Sequence, residues 1–284
     1  MGVLAILKFL IVASVFLSVL ALALRARTED VLYLFREWRL GLRAFVAIFV
    51  IVPLAAALLV SAFEFRHEVE VAIMVLSVSP IPPLLPKRQL KSGAEGNYIT
   101  GLLVAAALVS PIVAPVGLHL FGALLGNDAH VSFANLGTTL AITIVVPLLL
   151  GLGLQKLLGE HAHGVSDRLG KFAALLLVAC GLVLLVVLFP AIVRLVGEGT
   201  LVALISLIIV GLLAGYLLGG PSRNNRGALA LAAAVRHPGV AMGIAATNFP
   251  DEKAVLVTIA LYVVLGLLTA LPLLMLGRRW QLID

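Results

Sequence analysis

Lys87, Arg88, Arg236 and His237 fall where apolar stretches of the chain are at their oiliest. Two segments carry them: Pro80-Ile81-Pro82-Pro83-Leu84-Leu85-Pro86-Lys87-Arg88 and Val235-Arg236-His237-Pro238-Gly239. Each begins about a dozen residues into a hydrophobic span, roughly mid-bilayer at about 1.5 Å of rise per residue. Charges and helix breaks are costly at that depth and are kept mainly where they line a cavity or site. Guanidinium and ammonium groups there would hold a carboxylate or sulfonate. The His237 imidazole, whose unperturbed titration falls near neutral pH, suits a proton carrier or gate.

The breaks themselves are written in proline. Pro80, Pro82, Pro83 and Pro86 cannot share a regular helix, since each lacks an N–H and clashes with the preceding turn. The carbonyls they free must be satisfied by protein, water or ligand. In the second segment Pro238 and Gly239 mark the break. The first enters after Glu68 and Glu70, the second after Arg226, so the two run in from opposite faces. A pair of interrupted spans, one in each half of the chain, is the sequence pointer to a carrier's substrate site. Plainer readings compete: a proline kink is often only structural, Lys87 and Arg88 can snorkel to the surface beside Lys91, and His237 can be a packed histidine. Arg236 has less room to escape, with about ten residues on either side of it before water.

The elements that must position these groups are membrane helices. The chain has 284 residues, of which 62% are hydrophobic and only 12% charged, and its mean hydropathy is +1.17. A soluble domain of this size would be about a quarter charged. About nine spans of bilayer length follow, roughly 3–24, 42–62, 69–94, 97–123, 132–157, 172–195, 199–219, 225–249 and 253–276. Residues 3–24 are too long for a signal-peptide core and are followed directly by Arg25, so they read as a retained helix. No long polar linker interrupts the series, which predicts one membrane domain over 1–284 and no soluble domain.

The net charge of +6 sits in short loops and calls for no nucleic acid. Arg25, Arg27, Arg36, Arg39 and Arg43 share a side with Lys91, Lys156, Arg168, Lys171, Arg223, Arg226, Arg278 and Arg279. The positive-inside rule makes that side cytoplasmic, with the N-terminus outside and a plasma membrane, the bacterial inner membrane, as the location. Connection 25–41 is amphipathic and predicts an interfacial helix, with Trp38 as a headgroup anchor. Cys180 is the only cysteine and reads as a small apolar helix residue. His161 and His163 lack further ligands, so no metal or cofactor is expected. No GxSxG, HExxH or Walker loop is present, and no enzyme is expected.

At these residues the chain resembles the bile acid:sodium symporter family. Leu24-Arg25-Ala26-Arg27-Thr28-Glu29-Asp30 through Pro53 is similar to the connection between that family's second and third helices. Glu70-Val71-Ala72-Ile73 through Pro82 is similar to the approach to its first broken helix, and Arg226 through Phe249 to its second. The resemblance, taken over nearly the full length, implies two inverted repeats, about 1–126 and 127–284, and nine helices where the first is missing. It also implies a panel group beside a core group, two broken helices crossing at the substrate cavity, and transport of organic anions, usually driven by sodium.

The departures bear on mechanism. Where the family reads roughly Pro-Gly-Gly-Thr-Ala-Ser-Asn, this chain has Pro82, Pro83, Leu84, Leu85, Pro86, Lys87 and Arg88. Where it reads roughly Glu-Val-Gly-Met-Gln-Asn-Ser-Gly, this chain has Ala232, Ala233, Ala234, Val235, Arg236, His237, Pro238 and Gly239. Sodium, a hard cation, seeks oxygen ligands, and Arg and Lys offer none. Two unit charges about 4 Å apart repel by about 4 kcal/mol at an effective dielectric near 20. The expectation is a secondary carrier for a small organic anion in which fixed charges replace bound sodium and coupling is to protons, to exchange or to nothing. The alternatives are a sodium-coupled bile-acid-type symporter and a transport-inactive sensor or assembly protein of the same fold. The related arsenite carriers place a cysteine at the break, which Cys180 does not match.

Overall fold

The computed structural model describes residues 3–26, 28–82, 96–125, 137–138, 140–195, 197, 199–249 and 252–280. Most of its described residues are helical, with no strand among them. The long apolar runs leave no other solution in a bilayer, where each main-chain polar group needs an internal partner. In chain order the helices are α1 (Val3–Arg25), α2 (Thr28–Arg36), α3 (Trp38–Ala62), α4 (His67–Val78), α5 (Gly96–Leu125), α6 (Ala141–Leu158), α7 (His161–Leu195), α8 (Thr200–Leu218), α9 (Arg223–Ala234), α10 (Pro238–Asn248) and α11 (Lys253–Trp280). α3 contains a π-helical turn at Val46–Ile51, and α6 opens with another at Ala141–Val145.

Five of these elements are long and apolar enough to cross a membrane: α3, α5, α6, α8 and the joined stretch Arg223–Asn248. That stretch is the most enclosed: 83% of its most apolar window is buried, against 22–56% in the other four. Large apolar side chains elsewhere face outward, Leu157, Leu217 and Phe9 among them, as lipid-facing surfaces require. α2 turns 89° from the end of α1. The next helix starts four residues earlier than the span at 42, because Trp38 to Leu42 continue its helical pattern.

Packing follows the small residues. α1 lies against α6 and α7; Gly151 lets α6 approach to 2.9 Å between its would-be Cβ and the Leu20 carbonyl, and Ser166 on α7 donates to the Ala21 carbonyl at 2.7 Å. α8 lies along α9 through Gly211, Gly215 and Gly219, one per turn on a single face. A Cβ at Gly211 would sit 2.7 Å from the Ala233 carbonyl oxygen. Small residues at four-residue spacing let membrane helices meet backbone to backbone, where dispersion rather than the hydrophobic effect holds them. This contact seats α9 deep in the molecule and with it the segment that follows.

Candidate functional site

α4 ends at Val78 because Ser79 is extended (φ −69°, ψ 145°) ahead of Pro80, as the residue before a proline must be. The Ser79 hydroxyl turns back to the Val75 carbonyl at 2.7 Å. On the other side, α9 ends at Ala234, and Val235 (φ −99°, ψ 117°) and His237 (φ −74°, ψ 103°) are extended. The interruption therefore lies at Val235–His237, just ahead of Pro238 and Gly239. Pro238 opens α10 at a position where its missing N–H costs nothing. Gly239 serves close approach: a Cβ there would lie 2.6 Å from Val15 Cγ2 on α1.

The end of α4 and the break between α9 and α10 touch. The His237 N–H donates to the Pro80 carbonyl at 2.9 Å. Arg236, 1% exposed, donates from Nη1 to the Ser79 carbonyl at 3.2 Å and from Nη2 to the Ile48 carbonyl at 2.9 Å. Ile48 belongs to the π-helical turn of α3. Ser79 caps the C-terminal end of α4, where the aligned peptide dipoles present partial negative charge. No carboxylate pairs with Arg236 among its described contacts. Two carbonyls, one at a helix end and one at a wide turn, hold the cation in place of an anion.

His237 is 2% exposed, and its Nδ1 accepts the Val240 N–H at 3.4 Å, capping α10. An accepting Nδ1 places the proton of the neutral ring on Nε2. That Nε2 and the Arg236 Nε are buried without a hydrogen-bond partner among the described residues. From α11 the Tyr262 hydroxyl donates to the Ala234 carbonyl, the last residue of α9. Ser79 and Ile48 escape sequence reasoning because their contribution is a carbonyl, which every residue has. Tyr262 carried a signal, a lone phenol in an apolar run.

Of the site residues expected from sequence, Arg236 and His237 meet the first segment at Ser79 and Pro80, while Pro238 opens α10 and Gly239 lies against Val15 on α1. Pro82 lies on that segment, three residues past Ser79. Lys87, Arg88, Pro83 and Pro86 lie outside the described residues. No group of three or more metal-ligating side chains occurs among the described residues.

An all-α chain with spanning helices and a buried cation at a helix interruption defines an integral membrane protein. The sequence profile of the Sodium Bile acid symporter family matches residues 12–197, well over half of the chain, and the chain belongs to that family. Membership supports a transporter of the bile acid and sodium symporter type. No curated protein sequence matches the chain. The match stops short of α9 and α10, so the likeness expected over nearly the full length is carried by the first two-thirds, and Arg236 and His237 stand beyond it.

Proposed function

We propose that the protein is a secondary carrier for a small organic anion that works without bound sodium. The anion would bind where two broken helices, one from each of two inverted repeats, cross. The observation that carries this reading is the seat of Arg236 between the Ser79 and Ile48 carbonyls. Main-chain oxygens are what a hard cation such as sodium would need, and here a guanidinium holds them. A second cation about 4 Å away would be repelled by about 4 kcal/mol at an effective dielectric near 20. The unpartnered N–H groups of Arg236 Nε and His237 Nε2 suit an anionic oxygen or a water that bridges to one. Lys87 and Arg88 would add positive charge from the first segment. His237 would gate or relay a proton, and the arginine-rich side would face the cytoplasm across the bacterial inner membrane.

The test is uptake of a panel of labelled organic anions into proteoliposomes, with sodium replaced by choline. Uptake of at least one anion at an unchanged rate is expected. Strict sodium dependence would return the protein to the sodium-coupled class. No flux for any anion, with ligand binding untouched by Arg236→Ala, would make it a transport-inactive member of the fold.

A further inference from the structure

A second candidate site lies away from the helix interruptions. A cavity of about 290 Å3 opens between α2, the first half of α3 and the first half of α5, with a lining that is almost wholly apolar. Phe35, Trp38 and Leu42 form its outer wall and are 57%, 61% and 53% exposed. Ala105 and Ala106 on α5 form its back, and their small side chains leave the space. Arg36 ends α2 and Arg39 and Arg43 lie on the first two turns of α3, all exposed. Arg39 and Arg43 are four residues apart on α3 and share a face. The Arg39 guanidinium lies 5.6 Å from the centroid of the Trp38 ring. None of the three arginines has an ion pair among the described residues, although Glu37 lies beside them in sequence.

We propose that this cavity and its arginine rim bind an anionic phospholipid, one acyl chain entering between Trp38 and Ala105 and the phosphate resting on Arg39 and Arg43. Three features select that occupant. The cavity is at the small end of ligand pockets, about 300–1,000 Å3, which suits one chain and not a whole amphiphile. Its mouth is walled by exposed aromatic and aliphatic groups, so a visitor arrives from the lipid phase. The rim has cations held in no ion pair among the described residues beside a tryptophan, the pairing that marks the headgroup level. Ile48 lines the cavity and also gives its carbonyl to Arg236, so the chain would press on the turn that holds the buried cation.

The experiment is native mass spectrometry and thermal unfolding of the full-length detergent-purified protein. Phosphatidylglycerol and phosphatidylcholine of identical chains are titrated, with inorganic phosphate as a soluble control. Retention of phosphatidylglycerol at least tenfold over phosphatidylcholine is expected, with a rise in unfolding temperature. Arg39→Gln with Arg43→Gln, both on exposed positions, should lower that preference at least fivefold, and Ala105→Trp should block the chain while leaving the rim intact. Equal retention of the two lipids overturns the proposal. So does an undiminished preference in the double variant, or an equal effect of inorganic phosphate. A rise in unfolding temperature that tracks formation of dimers assigns the face to a second copy of the chain and overturns it as well.

Discussion

Arg236 donates to the main-chain carbonyl of Ser79 at 3.2 Å across 157 residues of chain. The side chain therefore pins the break between α9 and α10 to the end of α4, and it does so at that helix's negative end rather than at a carboxylate. A charge removed from water costs several kcal/mol unless its hydrogen bonds are replaced. Here the replacement is two carbonyls, one at the end of α4 and one in the π-helical turn.

Replacement of Arg236 tests that arrangement directly. Arg236→Ala leaves the Ser79 and Ile48 oxygens without donors in a closed site, at about 1–3 kcal/mol each, so a loss of about 3 kcal/mol or more is expected in denaturant unfolding. The vacated carbonyls are then open to sodium. The variant should unfold at a higher temperature in sodium chloride than in choline chloride, whereas the wild type should show no difference. At a hundredfold excess over its dissociation constant a bound ion adds about 2.7 kcal/mol. A sodium response in the wild type, or none in the variant, would break the link between Arg236 and the missing ion.

Tyr262 closes the end of α9. Tyr262→Phe deletes only the hydroxyl that donates to the Ala234 carbonyl and leaves that oxygen buried. A loss of about 1–2 kcal/mol is expected, together with faster hydrogen exchange at Val235 and Arg236. Exchange that stays at the wild-type rate would mean that the break is held without α11.

His237 supplies a cap that other residues can supply. His237→Ala should cost about 1 kcal/mol through loss of the Val240 N–H acceptor, while His237→Asn should keep most of the stability. If the ring also moves protons, His237→Asn will separate the two roles, keeping the fold and losing any pH dependence of transport. Equal stability of the Ala and Asn variants would remove the capping role.

The α8–α9 contact tolerates no side chain. Gly211→Val places new carbon 2.7 Å from the Ala233 oxygen and the Ala234 Cα, both main-chain atoms that cannot swing away. A cost of about 1–3 kcal/mol is expected from overpacking, and because Ala234 precedes the Arg236 segment, transport should fall with it. Gly227→Ala, on α9 where nothing lies within 4 Å of the added carbon, is the control and should be neutral.

The membrane class, the helical architecture, the end of α4 ahead of Pro80 and the break ahead of Pro238 follow from the order of residues alone. Long apolar runs cannot stay oily in any other setting, and a proline cannot continue a helix wherever it is placed. The same reasoning singled out Arg236 and His237, since a charge deep in an apolar run must be answered by something. What answers it was decided by the tertiary structure. Among the described residues Arg236 meets Ser79, Ile48 and no acid because the glycines of α8 bring α9 in close and a π-helical turn in α3 points a carbonyl at the guanidinium. A carbonyl is the same chemical group at every position, so its selection leaves no trace in residue identity and appears only when the chain has folded around it.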